Sequence, residues 1–150
     1  MNKLLLITII SLTYCQVIFA KELPVKQQDV SPQQLQKQNK EITILVAKEL
    51  SKDLPKDIDK YTKFTSIVAN DATLTYTFEI NTGSKSDKIV MKEDKKRMEE
   101  AVVNGVCRSS KRFMDAQITI IYVYKSAKSK TKLFQFDITQ SKCFQRFGSY

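Results

Sequence analysis

Three pairs of neighbouring carboxylates, Asp57/Asp59, Glu93/Asp94 and Glu99/Glu100, are the first candidates for chemistry in this chain. Two acids whose pKa values are pushed apart can divide the general-acid and general-base duties, as in glycoside hydrolysis. Each pair here sits among lysines, which favours a solvated, ion-paired surface. Ser109 and Ser110 beside Lys111 suggest a serine nucleophile with a lysine base. That lysine would have to be desolvated to give up its proton, and its neighbourhood is full of charge. The chain has no histidine, which excludes imidazole-activated nucleophiles, H-E-x-x-H zinc sites and histidine pH switches. With only 3 glycines it has no phosphate-cradling glycine loop, and no G-x-S-x-G elbow occurs. No cofactor and no metal are implied, and a small hydrolase working without histidine ranks behind the non-enzymatic readings.

The three cysteines divide by position. Residues 1–20 read as a secretory signal peptide: Lys3 gives a positive start, an apolar run follows, and Ala20 is a small residue at a cleavage point before Lys21. Ile18, three residues before that cut, is larger than the position prefers, so a shifted cut or a retained anchor stays open. Cys15 leaves with the signal; bulky Tyr14 before it argues against a lipid-attachment box. Cys107 and Cys143 remain, and two cysteines in an exported chain most simply form one structural disulfide. It closes a loop whose entropy cost to the unfolded chain corresponds to about 3 to 4 kcal/mol. The expected location is periplasmic or secreted.

Charge supplies the other candidate site. The net charge is +9, and residues 108–150 carry nine basic side chains against Asp115 and Asp137 alone. Lys125, Lys128, Lys130 and Lys132 cluster at one predicted loop, and Arg108, Lys111 and Arg112 precede the same hairpin. Lysines there can simply keep a loop soluble and discourage edge pairing. Alternatively the seven cations form one anion-facing surface for an acidic protein, anionic lipid or a surface polymer. The exported compartment disfavours nucleic acid.

The elements that must carry these residues follow from periodicity. Residues 21–30 have no pattern and read as a mobile leader, and 31–150 as one small α+β domain. Ser31 followed by Pro32 opens a helix in which Leu35, Ile42, Leu45, Val46, Glu49 and Leu50 recur at helical spacing until about Asp53, before Pro55. Residues 62–70 and 73–80 form a hairpin about the Asn70-Asp71 turn. In its second strand Leu74, Tyr76, Phe78 and Ile80 share one face. A second helix carries Met91, Met98, Ala101 and Val102 and ends near Asn104-Gly105, and a short helical piece spans 109–115. Residues 117–125 form a central strand, apolar on both faces, paired with 132–139. The order is α-β-β-α-β-β, read as a four-stranded antiparallel sheet of two hairpins with both main helices packed on one face.

The function expected from this reading is that of a non-enzymatic exported interaction protein, an envelope or secretion-system accessory factor or an inhibitor or immunity protein. Its partner is another envelope or secreted protein. Binding of anionic envelope ligands through the basic hairpin is the alternative.

Overall fold

The structure, a computed structural model, describes residues 30–148. The expected signal over 1–20, its cleavage point, the leader up to residue 29 and Tyr150 lie outside the described residues. Ten elements follow in order: α1 (Pro32–Ser51), β1 (Lys56–Asp57), β2 (Thr62–Asn70), β3 (Thr73–Ile80), α2 (Asp87–Glu93), α3 (Lys95–Ser109), α4 (Lys111–Asp115), β4 (Thr119–Ser126), β5 (Lys132–Ile138) and α5 (Gln140–Phe147).

The class is α+β, but the sheet is five-stranded and mixed, ordered β1-β2-β3-β4-β5. Both expected hairpins form, with Ala69 opposite Leu74 in β2/β3 and Tyr122 opposite Phe136 in β4/β5. The expectation of a wholly antiparallel sheet fails at their junction, because β3 and β4 run parallel, with Leu74 beside Ile120 and Phe78 beside Tyr124. The cause lies in the connection. Helices α2 and α3 carry the chain back along the sheet to the end where β3 began, so β4 must start from that end. Two-residue β1 adds an edge, with Lys56 opposite Phe64.

One sheet face holds the core. Side chains of Phe64, Phe78 and Tyr124 stack across β2, β3 and β4 with ring centroids 4.9 and 5.1 Å apart. Phe136 and Ile138 of β5 continue that layer under Val102, Val103 and Val106 of α3. A smaller cluster of Ile67, Leu74 and Ile118 lies under Ala47 of α1.

Helix α1 starts as its sequence implies, the Ser31 hydroxyl accepting from the Gln34 N–H at 3.2 Å with Pro32 at the first position. It buries only part of the expected stripe: Leu35 and Val46 are partly buried, but the fully buried positions are others. Asn39, Thr43 and Ala47 face the sheet, while Ile42 is 42% and Leu45 65% exposed. Asn39 donates to the Ala116 carbonyl (2.6 Å) and Thr43 to the Asp71 carbonyl (2.5 Å). Those carbonyls belong to the turns entering β4 and β3, where Asp71 and Gln117 hold positive φ. Polar groups matched to turn carbonyls outweigh the larger apolar stripe because a buried unpaired carbonyl is costly.

The expectation for the second helix is corrected as well. The second helix is two helices broken at Asp94, and it passes through Asn104-Gly105 to Ser109. The aromatic tail after β5 is helix α5, capped by Thr139, whose hydroxyl accepts from the Lys142 N–H at 3.3 Å. Cys107 of α3 and Cys143 of α5 meet as a disulfide, Cα atoms 5.4 Å apart, with both residues buried in the core.

Candidate docking groove

Helix α1 rests on the β2/β3 side of the sheet and α3 on the β5 side, so the middle of the sheet between them has no helix over it. Tyr76 and Tyr122 lie there, half-buried, with ring centroids 5.1 Å apart, and Tyr122 leads to Tyr124 at 6.3 Å. One recess of about 480 Å³ runs along α3 past Met98, Ala101, Gly105 and Ser109, with Tyr122 and Tyr124 as its floor. A second, of about 680 Å³, is lined by Ile42 of α1, Ser109, Arg112, Phe113 and Ile118. Ser109 lines both, so the two recesses adjoin at that residue. An added Cβ at Gly105 meets nothing within 4 Å. This wall is low because its residues are small.

The floor is apolar but edged with hydroxyls. No hydrogen bond holds the hydroxyls of Tyr76, Tyr122 or Tyr124 among the described residues, and no buried side-chain oxygen there lacks a partner, so these groups open on water. Burial of the ring, and secondarily the neighbouring Tyr122, pushes the Tyr76 pKa up to about 12. Tyr122 and Tyr124 are raised also, each chiefly by burial. All three are neutral hydrogen-bonding groups near neutral pH.

The sequence-derived catalytic candidates have ordinary surface surroundings. Asp57 pairs with Lys63 at 3.3 Å, and Glu99 pairs with Lys142 at 2.7 Å. Asp59 accepts the Tyr61 and Thr62 N–H groups at 2.7 and 2.8 Å. Glu93 pairs with Lys85 at 3.0 Å. The Arg97 guanidinium hydrogen-bonded to Asp94 draws its carboxyl below the usual range, the opposite of what a proton donor needs. The Ser109 hydroxyl donates to the Gly105 carbonyl at 2.9 Å, and Lys111 is held by Asp115 at 3.0 Å, so that pair is not assembled as nucleophile and base. Among the described residues no group of three His, Cys, Asp or Glu side chains comes together as metal ligands.

The seven cations expected to form one surface are divided. Lys125, Lys128, Lys130 and Lys132 lie where β4 ends and β5 begins, whereas Lys111 and Arg112 lie in the short helix that leads into the start of β4. The eight residues of β4 separate the two groups by roughly 23 Å at 3.3 Å per residue. Arg108 is directed to the Phe147 ring, 5.5 Å from its centroid. Lys130 is paired with Glu79 at 2.8 Å. Arg112 belongs to the groove, at its α4 end. Sequence reasoning missed the groove because Tyr76 and Tyr122 read as core; their side-by-side placement depends on the parallel β3/β4 register.

A family profile described as Domain of unknown function (DUF8479) matches residues 34–134, from the first turn of α1 into β5. The chain belongs to the DUF8479 family. No curated protein matches this DUF8479 chain. Solved structures do. A candidate secreted protein from Pseudomonas aeruginosa superposes with a TM-score of 0.64 at 14% identity, covering 73% of this chain and 96% of that one. The pilotin of the Vibrio vulnificus type 2 secretion system gives 0.61 at 15% identity over 74% and 96% of the two chains. The type II secretion system pilotin from Vibrio cholerae gives 0.55 at 13% identity over 74% and 97%. At such identities the likeness is one of fold, and it extends over nearly the whole of each of those three chains.

Proposed function

We propose that this DUF8479 protein is an exported, non-enzymatic accessory protein that receives an apolar segment of another envelope or secreted protein in the groove between α1 and α3. The observation that carries the reading is the tyrosine floor, left without a helix over it beside a low wall of Ala101, Gly105 and Ser109. Exposed Ile42 on α1 extends the apolar surface to the opposite wall. Aromatic rings with one polar tip suit a protein interface, since they bury large area and still hydrogen-bond at the rim. Two pilotins of type II secretion systems and a candidate secreted protein share the fold, which supports a secretion-accessory role in the periplasm or outside the cell. The ion pairs of Asp57, Glu93, Asp94 and Glu99 with neighbouring cations favour binding over catalysis.

Gly105→Arg provides the test. The new side chain fills the groove from an open position, and replacing a mid-helix glycine by a good helix former stabilises α3 by about 0.5 to 1 kcal/mol. A photo-crosslinking residue at Ser109 should trap one defined envelope partner in cells, and Gly105→Arg should abolish that adduct while raising the unfolding midpoint. An adduct of equal yield in the Gly105→Arg protein, or one formed as well from Thr75 on the opposite sheet face, refutes the groove as the docking site.

A further inference from the structure

The end of the sheet opposite Arg112 presents a second surface, independent of the groove. We propose that this end, built from the 58–61 turn and the 126–131 loop, is a contact site for an anionic lipid bilayer. Three backbone links hold it together. The Ile58 N–H donates to the Thr62 carbonyl at 2.9 Å, the Asn81 N–H to the Tyr61 carbonyl at 2.8 Å, and the Ala127 N–H to the Ile80 carbonyl at 2.8 Å. The turn, the end of β3 and the basic loop therefore stand side by side. Lys60, Tyr61 and Ala127 line the same shallow recess of about 270 Å³.

Two features on this end point to a bilayer. First, its apolar residues face outward: Ile58 is 55% and Tyr61 54% exposed, and neither belongs to a core cluster. A tyrosine beside an isoleucine at the tip of a rigid turn suits the headgroup level, where an amphipathic ring keeps its hydroxyl wet and its body in apolar surroundings. Second, lysines surround them. Lys56, Lys60 and Lys63 come from the turn and its flanks, and Lys125, Lys128, Lys130 and Lys132 from the loop, against Asp57, Asp59, Glu79 and Asp87, the last accepting from the Ser129 hydroxyl of the loop at 2.6 Å, a local balance of +3.

The acids of this end are also engaged inward. Asp57 pairs with Lys63, Glu79 with Lys130, and the Asp59 carboxylate is folded back onto the Tyr61 and Thr62 N–H groups. Lys56 and Lys128 have no ion-pair partner among the described residues, and Lys60 lies over the Tyr61 ring at 4.7 Å. Cations with an apolar tip between them match phosphate headgroups over an acyl boundary, whereas a soluble polyanion has no use for Ile58. Helix α1 places Asn39 and Thr43 at the other end of the sheet, against the turns before β4 and β3.

The test is sedimentation of the protein purified from the envelope with vesicles of phosphatidylglycerol and phosphatidylethanolamine, and with vesicles of phosphatidylcholine alone. The anionic vesicles should capture the protein and the neutral ones should not, with capture falling as salt rises. Lys60→Gln, Lys128→Gln and Lys132→Gln together should lower capture more than tenfold, since each lysine near such a surface is worth about fivefold. Ile58→Ser with Tyr61→Ser should lower it several-fold at unchanged charge, and Arg112→Gln, at the far end, should change nothing. Equal capture by both vesicle types, or indifference to the three lysine changes, overturns the proposal, as does a membrane contact made by residues 1–20. Binding to soluble polyphosphate with the same affinity as to vesicles, unaffected by the Ile58 and Tyr61 changes, also overturns it and marks a general polyanion site.

Discussion

Thr43 occupies a position that a leucine would fill in an ordinary amphipathic helix, and it is fully buried. Its hydroxyl stands within 2.5 Å of the Asp71 carbonyl at a turn where φ is 48°, so one side chain joins α1 to the β2/β3 turn. Thr43→Val keeps the volume and removes the donor. The expected loss is about 1 kcal/mol, read as a lower denaturant midpoint at unchanged m-value, because the hydrogen bond that ties α1 to the β2/β3 turn is lost. The tyrosines give a pH-dependent counterpart. The Tyr76 pKa, near 10 in the unfolded chain, is pushed up to about 12 in the folded one, and a raised folded-state value favours the neutral phenol. The stabilising contribution is therefore intact below pH 10 and lost as pH climbs from 10 through 12. Phenolate absorbance should lag behind that of the urea-unfolded protein across this window, and stability should fall across it. Tyr76→Phe should reduce that fall; an unchanged alkaline limb would exclude Tyr76 as its source.

At the scale of elements, α5 is joined to the rest by few means. Its eight residues bury Cys143, and beyond the disulfide to Cys107 the helix is attached by partly buried Phe147 against the core and Arg108, by Lys142 to Glu99 and by Arg146 to Asn104. Polar contacts at or near the surface are each worth little. The disulfide is therefore expected to decide whether α5 stays docked on α3. Replacing both cysteines by Ser should cost about 3 kcal/mol and raise hydrogen exchange in α5 before any other helix. Thiol titration of the unfolded, unreduced protein should find none free among Cys107 and Cys143; two free thiols would remove the basis for this account. Helix α3 behaves differently. Its Val102, Val103 and Val106 are all buried on β5 and its neighbours, so its far side can be low and open at Gly105 without loss of anchorage. The groove exists because α3 and α1 each pack their buried face on the sheet rather than on each other, which leaves Ile42 of α1 exposed at its edge.

For the whole molecule, the parallel junction of β3 and β4 has two consequences. It brings Tyr76 beside Tyr122 in the centre of the sheet, and it puts the β4/β5 loop at the same end as the 58–61 turn, away from α4. Seven cations that neighbour one another in sequence order around one hairpin are thereby sent to opposite ends of a sheet roughly 23 Å long, more than twice the screening length of about 8 Å at physiological salt. They lie in two separate places, Lys111 and Arg112 at the α4 edge of the groove and the four lysines near Ile58 and Tyr61.

The local elements were legible in the sequence for a local reason. Ser31-Pro32 starts α1, alternation from Thr73 to Ile80 makes a strand, and Asn70-Asp71 turns a hairpin, because caps, period-2 alternation and tight turns depend on residues within a few positions of each other. The α5 cap could have been read the same way from Thr139, with Cys143 and Phe147 one turn apart. The remainder depended on distant residues. Which face α1 buries is decided by carbonyls 28 and 77 residues away, and no hydrophobic period contains them. The direction of β4 depends on where two intervening helices set the chain down. Composition and spacing determined the charge excess, the pairable cysteines and the two hairpins. Only the tertiary structure decided which cations share a surface and that Tyr122 and Tyr124 form the floor of a groove with Tyr76 beside them, because strand order and direction arise from how the helices pack across the sheet.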